Sequence, residues 1–294
     1  MSKIKTENNE LPDIKTNGKA VSAVETHCYS APPESGKIYN ENCLDTMKRM
    51  PDNFIDLTVT SPPYDNLREY NGYSFPFEQI AYKLYRVTKE GGVVVWVVGD
   101  ATINGSETGS SFRQALFFMD IGFNLHDTMI YHKHSPPLTH NRYEQHFEYM
   151  LILSKDKPKT FNPIIADKRW QDNRSKKGIR REKDGSSDMG FTSKSKTKIK
   201  GNVWKYNIGG GHVTGDKVAY KHPAIFPDKL VADHVKSWSN EGDLVYDPFM
   251  GSGTTAKMAH LLKRKWLGSE ISKEYVELAE KRLEPYLRQG TLAL

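Results

Sequence analysis

The sequence predicts a doubly wound α/β sheet, and three features of its pattern carry that prediction. Residues 54–59 and 93–98 are short runs of apolar and β-branched residues, as in strands that helices cover on both faces. Amphipathic stretches alternate with these runs, as the crossovers of such a sheet require. A third strand, 244–246, leads into a glycine-rich turn and then a helix.

In the first half of the chain, strand and helix patterns alternate. The strand at 54–59 stops by Pro62, because proline has no N–H for a central ladder. Residues 77–88 carry apolar side chains along one helical face. Gly91-Gly92 are expected to turn the chain into the strand at 93–98. The further elements expected in this half are a helix at 111–119 and strands at 125–131 and 149–153.

A basic segment, 155–221, interrupts this alternation. It holds 18 Lys and Arg against 7 Asp and Glu, whereas the whole chain has a net charge of +6. Its aromatic residues, Trp204 and Tyr206 among them, are isolated, so we expect an insert outside the sheet core. Such a basic block indicates contact with a polyanion. The elements expected after it are helices at 230–238, after 254 and after 272, and strands at 244–246 and 266–268.

The composition also excludes several classes of protein. No apolar run approaches the roughly 20 residues that span a bilayer, and the polar start lacks the apolar core of a signal peptide, so we expect a cytoplasmic protein without membrane contact. Two cysteines, Cys28 and Cys43, imply no disulfide framework. No metal site is expected, because no Cys or acidic partner completes a ligand set around the histidines at 132, 134, 140 and 146.

The turn at 247–255 has the features of a nucleoside-binding loop. Gly251 and Gly253 allow a tight turn and a close approach of ligand to backbone. Glu270 lies 19 residues after Gly251, where a carboxylate can accept both ribose hydroxyls. The sequence 251–256 also fits the dinucleotide pattern G-x-G-x-x-A, so this loop alone does not separate NAD from other nucleosides.

A second turn, Ser61-Pro62-Pro63-Tyr64, follows the first buried strand. Ligands of open α/β sheets bind at such strand ends. Two prolines stiffen the turn, so its carbonyl oxygens and the Ser61 hydroxyl can be aimed at an exocyclic amine. The ring of Tyr64 can stack on a base that has left the helix.

These two turns, in this order, resemble the β-class DNA amino-methyltransferases over about residues 37–288. The chain is most similar to the N4-cytosine members, which favour Ser-Pro-Pro-Tyr, whereas many N6-adenine members have Asp-Pro-Pro-Tyr. The resemblance implies a Rossmann-like methyltransferase sheet, S-adenosylmethionine as cofactor and double-stranded DNA as partner. It also implies four regions: a flexible N-terminal arm (1–36), a catalytic half (37–154), a basic target-recognition insert (155–220) and a cofactor-binding half (221–294).

The resemblance assigns candidate residues to three roles. The base site comprises Ser61, Pro62, Pro63 and Tyr64. The cofactor site comprises Asn42, Cys43, His222, Pro223, Phe226, Asp247, Pro248, Phe249, Gly251, Ser252, Gly253, Thr254 and Glu270. Asn42 departs from the family, which often has Asp before Cys. The candidate DNA contacts are Arg68, Arg169, Arg174, Arg180 and Arg181.

The sequence therefore favours a cytosine-N4 DNA methyltransferase, and several alternatives stay open. The turn chemistry is nearly the same for adenine N6, so the modified base must decide between the two. A non-catalytic DNA-binding regulator would keep the fold without turnover, an RNA methyltransferase would modify another substrate, and a dehydrogenase would bind NAD. A homodimer and a companion restriction endonuclease are both compatible with the leading interpretation.

Overall fold

The computed structural model describes residues 31–63, 75–134, 142–167, 178–191, 197–208 and 213–288. Most of the predicted N-terminal arm therefore lies outside the described residues. The helices are α1 (Cys43–Arg49), α2 (Phe77–Val87), α3 (Ser110–Asp120), α4 (Asp228–Trp238), α5 (Thr254–Leu261) and α6 (Lys273–Arg288), with a 3-10 turn at Lys217–Lys221. No helix in these ranges is long and apolar enough to cross a bilayer.

Fourteen strands are present in the described ranges. They are β1 (Lys37–Tyr39), β2 (Ile55–Thr60), β3 (Thr88–Val98), β4 (Thr102–Ile103), β5 (Ser106–Glu107), β6 (Asn124–His134), β7 (Phe147–Ser154), β8 (Ile165–Asp167), β9 (Gly178–Arg181), β10 (Ser187–Phe191), β11 (Thr197–Ile199), β12 (Val203–Asn207), β13 (Leu244–Asp247) and β14 (Lys265–Ser269). Eight of them form the main sheet in the order β1-β14-β13-β2-β3-β7-β6-β12. All neighbours are parallel except at β7, which is antiparallel to β3 and β6.

Helices cover both faces of the sheet, which confirms the doubly wound α/β prediction. Successive residues of β3 point to opposite faces, so Val93 and Val95 belong to one apolar cluster and Val94 and Trp96 to the other. The first cluster packs against α4 and α5, and the second packs against α1, α2 and α3. Burial on both faces explains why the central strands are apolar throughout.

Two expectations about the sheet are wrong. Gly91 lies within β3, which begins at Thr88, and does not precede it. The ladder between β2 and β3 shifts register between Ile55 and Leu57, so the glycines form a bulge in the strand. The segment 203–207 is no outlying insert either, because β12 pairs with β6 in the main sheet.

β12 joins the core through its two aromatic residues. Trp204 and Tyr206 are each 5% exposed, and their neighbours in the strand are exposed. The Trp204 ring stacks on the buried His234 of α4 with 4.8 Å between ring centroids. The Tyr206 hydroxyl donates to Asp233 of the same helix at 2.8 Å. The short strands β8 to β11, in contrast, pair in two-stranded ladders separate from the main sheet.

Candidate active site

A cavity of about 630 Å³ opens at the carboxyl ends of the central strands. Its size is typical of sites for nucleoside-sized ligands. Most of the predicted cofactor and base residues line it: Asn42, Cys43, Ser61, Pro62, Pro63, His222, Pro223, Phe226, Asp247, Pro248, Phe249, Gly251, Ser252, Thr254 and Glu270. Two sequence motifs almost 190 residues apart thus meet at one place, since β2 and β13 are neighbours in the sheet.

The glycine loop has a backbone that other residues could not adopt without strain. Gly251 has a φ of +50°, and a Cβ added there would lie 3.0 Å from Nε2 of His222. Gly253 has a φ of +79°, and its Cβ would lie 3.0 Å from the Cβ of Ala279 in α6. Gly253 does not line the cavity. Its part is therefore to seat the loop against α6, while Gly251 lets the backbone approach the cavity.

Glu270 lies directly after β14 and is 9% exposed. Its Oε2 accepts the Gly251 N–H at 2.8 Å, and its Oε1 accepts the Ser272 N–H at 2.9 Å. Burial raises the pKa of this carboxyl, and the two backbone hydrogen bonds oppose the rise. Each carboxylate oxygen still has a lone pair, so the group can accept hydroxyl donors from the cavity.

Two further segments complete the side of the cavity where the predicted cofactor residues lie. The Asn42 side chain accepts the Leu44 N–H at 2.9 Å and caps α1, a task that Asp and Asn perform equally well. This explains how Asn can stand where the family often has Asp. Burial raises the pKa of the neighbouring Cys43 thiol to about 12. The ring of His222 packs edge-on against Tyr275, with 4.3 Å between ring centroids.

Asp247 connects the glycine loop to β2, the strand that leads into the turn Ser61-Pro62-Pro63. Its Oδ1 accepts from the Thr60 hydroxyl at 2.6 Å and from the Phe249 N–H at 3.0 Å, and its Oδ2 accepts from the Thr255 hydroxyl at 2.7 Å. Burial raises the pKa of this carboxyl, and these hydrogen bonds lower it. The carboxylate thus holds the loop and the end of β2 in one arrangement.

The predicted catalytic turn (Ser61-Pro62-Pro63-Tyr64) and the predicted DNA contacts are described only in part. Ser61, Pro62 and Pro63 follow β2 and face the cavity. Four of the predicted site residues lie outside the described residues: Tyr64, Arg68, Arg169 and Arg174. Arg180 and Arg181 lie in β9, which pairs with β10, and Arg181 is exposed.

Sequence reasoning missed a buried ionic network behind the glycine loop. The Arg282 side chain, fully buried in α6, donates to the carbonyl of Ser252 at 3.0 Å and to the hydroxyl of Thr254 at 2.8 Å. It also pairs with Asp216 and Asp228, each at 2.7 Å. Lys257 of α5 contacts the same two carboxylates. The network therefore fixes the segment 213–228, which carries His222, against the loop.

The opposite wall of the cavity also contains residues that the sequence did not single out. They are Gly99, Asp100, Tyr131, Lys133, Gln145, Phe147 and Glu148. These residues lie at the ends of β3, β6 and β7, at the same edge of the sheet as Ser61. Their place at strand ends was the signal that could have found them, because ligands of such sheets bind there.

The cavity suits S-adenosylmethionine. A buried carboxylate at Glu270 can accept ribose hydroxyls, and the loop at Gly251 admits a ligand against its backbone. Ser61 and Pro62, which directly follow β2, line the same cavity. A methyl donor and a methyl acceptor can therefore lie next to each other in one cavity.

Comparisons with known proteins agree with this geometry. The family model for N6 and N4 methyltransferases, described as DNA methylase, matches residues 55–281. The orphan methyltransferase M.BamHII of Bacillus amyloliquefaciens is 59% identical over 239 residues, which cover 79% of this chain and 90% of that protein. The type II methyltransferase M.BglII of Bacillus subtilis is 28% identical and covers 83% of this chain and 67% of that protein.

Solved structures share the fold. PvuII DNA methyltransferase, which is cytosine-N4-specific, has a TM-score of 0.63 at 21% identity. The match covers 86% of this chain and 89% of the PvuII chain. The complex of M1.HpyAVI with S-adenosylmethionine has a TM-score of 0.53 at 23% identity, and the match covers 84% of this chain and 99% of that chain. The chain belongs to the DNA methylase family and is a β-class DNA amino-methyltransferase that uses S-adenosylmethionine.

Proposed function

We propose that this enzyme methylates the N4 amino group of cytosine in double-stranded DNA. The observation that carries the proposal is the turn Ser61-Pro62-Pro63, which opens beside Glu270 and Gly251 in one cavity. Ser61 has a neutral hydroxyl at the position where many N6-adenine members have a negatively charged aspartate. The structurally similar PvuII enzyme is itself cytosine-N4-specific.

The proposed chemistry needs positioning more than proton transfer. When bound, the cofactor supplies a methyl group that its sulfonium already activates. The Ser61 hydroxyl oxygen and the Pro62 carbonyl oxygen accept hydrogen bonds from the two N–H groups of the target amine. This turns the lone pair of the nitrogen toward the methyl carbon. They also stabilise the positive charge that develops on nitrogen, and the surplus proton leaves to water. The target base must leave the duplex to reach this depth.

The cavity argues against methylation at cytosine C5. That reaction needs a cysteine thiolate to attack the ring. Cys43 is the one cysteine in the described part of the chain, and it is a buried thiol with a pKa of about 12. It is therefore protonated at neutral pH and a poor nucleophile. Direct transfer to an exocyclic amine needs no such group.

The basic region 155–220 contains all the proposed DNA contacts except Arg68. The β9–β10 ladder carries Arg180 and Arg181, and Arg181 is exposed to solvent. Arginine binds phosphates and reads guanine edges through paired donors. We assign target recognition to the part of this region outside β12, which belongs to the main sheet. We assign the catalytic half of the enzyme to 37–154 and the cofactor-binding half to 221–294.

The proposal is tested by digesting treated DNA to nucleosides and identifying the modified base by mass spectrometry. Unmethylated genomic DNA is incubated with cofactor and the wild-type enzyme, Ser61→Ala or Ser106→Ala. Ser106 lies in the exposed strand β5 and serves as the matched control. We expect N4-methylcytosine from wild type and Ser106→Ala, and a rate lower by about 10²- to 10³-fold from Ser61→Ala. N6-methyladenine from the wild type would refute the base assignment.

A further inference from the structure

The sheet order divides the cavity into two sides. β2, which ends at the catalytic turn, lies between β13 and β3. Glu270 and Gly251 belong to the β13–β14 side, where the cofactor residues gather. The other side is formed by the ends of β3, β7 and β6, successive strands about 5 Å apart. Ser61, Lys133 and Glu148 line the same cavity, so a base whose amine meets Ser61 can extend its ring toward this second side.

An ion pair forms the wall of that second side. Lys133 of β6 pairs with Glu148 of β7, and both line the cavity. Their side chains are 22% and 15% exposed. Glu148 lies opposite Tyr131 in the β6–β7 ladder, and a Cβ at Gly99 would lie 3.4 Å from its Cγ. The backbone N–H of Lys133 donates to the carbonyl of His146 at 2.7 Å, which fixes the backbone from which the Lys133 side chain extends.

Stability alone gives little reason for a charged pair at this depth. Removing two charges from water costs about as much as their attraction returns. The ammonium of Lys133 has three N–H donors, and one of them is enough for Glu148. The pair therefore presents an oriented donor to the cavity.

The two candidate bases differ at the edge that such a donor would meet. Beside its amine, cytosine carries two acceptors in a row, the ring N3 and the carbonyl O2. Adenine carries one ring acceptor at the corresponding place, N1, and then a C–H. A donor that reaches the carbonyl position can bond to O2 of cytosine. With adenine bound, the same donor meets a C–H and has no acceptor, which lowers the affinity for adenine.

We propose that Lys133, oriented by Glu148, donates hydrogen bonds to the N3–O2 edge of the flipped cytosine and so selects cytosine over adenine. This inference rests on the proposed N4-cytosine function. It assigns Lys133 as a specificity-determining residue and Glu148 as a positioning residue.

The test measures kcat/KM on two duplexes that contain a site mapped with the wild-type enzyme. They differ only in whether cytosine or adenine occupies the target position. Lys133→Met, Lys133→Arg and Glu148→Gln are compared with wild type. Lys89→Met is the matched control, because Lys89 forms an ion pair with Asp56 outside the cavity. Calorimetric binding of S-adenosylhomocysteine checks that each variant is folded.

We expect Lys133→Met to lower kcat/KM on the cytosine duplex by about 10- to 100-fold, with little change on the adenine duplex. Lys133→Arg should recover most of this loss because it keeps the donors. Glu148→Gln should lower the cytosine value by a smaller factor, and Lys89→Met should match the wild type. Affinity for S-adenosylhomocysteine should be unchanged throughout.

Two results would overturn the inference in different ways. If the wild type forms N4-methylcytosine while both Lys133→Met and Glu148→Gln stay within twofold of it on cytosine, the specificity role fails and the proposed function stands. If the wild type forms no N4-methylcytosine on either duplex, the proposed function fails and takes this inference with it.

Discussion

At the residue scale, Glu270 shows how one carboxylate can shape a loop and also bind a ligand. Its two oxygens accept hydrogen bonds from the backbone N–H groups of Gly251 and Ser272, and both residues line the pocket. Those backbone bonds stabilise the charged form against the burial that raises its pKa. The same group is then ready to accept cofactor hydroxyls with its remaining lone pairs.

We predict that Glu270→Gln weakens cofactor binding by about 10- to 100-fold, since each hydrogen bond to a charged group contributes about 1.5–3 kcal/mol. Titration calorimetry with S-adenosylhomocysteine measures this, and Glu274→Gln on the exposed start of α6 is the control. Because the pKa of Glu270 is raised, wild-type affinity should fall on acidification at a higher pH than for an ordinary glutamate. Unchanged binding by Glu270→Gln would contradict this role.

At the scale of single elements, β2 carries a natural comparison between two buried threonines. The Thr60 hydroxyl donates to Asp247 at 2.6 Å, which connects the catalytic turn to the glycine loop. The hydroxyl of Thr58, two residues earlier, finds no hydrogen-bond partner among the described residues. Both side chains are fully buried. Substituting each threonine in turn therefore distinguishes the effect of the Thr60–Asp247 hydrogen bond from the effect of burying a hydroxyl.

We predict that Thr60→Val lowers kcat by about tenfold, because the turn and the cofactor loop lose their fixed distance. It should also lower the free energy of unfolding by about 1–3 kcal/mol, since Asp247 loses a donor. Thr58→Val should leave kcat unchanged and the stability equal or higher. Steady-state kinetics and urea unfolding measure both effects. Equal behaviour of the two variants would show that the Asp247 bond does not position the turn.

Most elements could be predicted from the sequence because their patterns are local. The helix at Phe77–Val87 has Ile80, Leu84 and Val87 buried on one face, as its spacing indicates. β12 was missed because its basic surroundings suggested a solvent-exposed insert. The alternation of buried Trp204 and Tyr206 with exposed neighbours was the available signal, but five residues are too few to outweigh the composition.

At the scale of the whole molecule, charged residues from distant segments of sequence meet behind the cofactor loop. Burial tends to raise the pKa of Asp216, but hydrogen bonds from Lys257, Tyr286 and Arg282 outweigh it and lower the pKa below its ordinary value. Asp216 is 41, 66 and 70 positions from Lys257, Arg282 and Tyr286, and no local pattern connects these residues. For this reason the sequence could predict the loop but not the network that holds it.

We predict that Asp216→Asn lowers the free energy of unfolding by about 3–5 kcal/mol at pH 7, because two buried cations lose a partner. The folded pKa of Asp216 lies below its unfolded value of about 3.9, so the carboxylate stabilises the protein above that value and loses this effect as the pH falls. The difference between variant and wild type should therefore shrink below about pH 4 in urea unfolding curves.

A control for this measurement lies in the same helix as Arg282. Lys273 and Glu277 form an exposed pair on α6, and such pairs contribute less than about 1 kcal/mol. Glu277→Gln should therefore leave stability nearly unchanged at every pH. A loss for Asp216→Asn as small as that for Glu277→Gln would show that the network does not hold the loop.

In the proposed function, one cavity transfers a methyl group from S-adenosylmethionine to cytosine N4. The most direct measurement uses a cofactor with a trideuterated methyl group and locates the label by mass spectrometry of nucleosides from the treated DNA. We predict that the label appears on N4 of cytosine and that Ser61→Ala nearly abolishes it. Label on adenine N6 or cytosine C5, or DNA without label despite bound cofactor, would contradict the account.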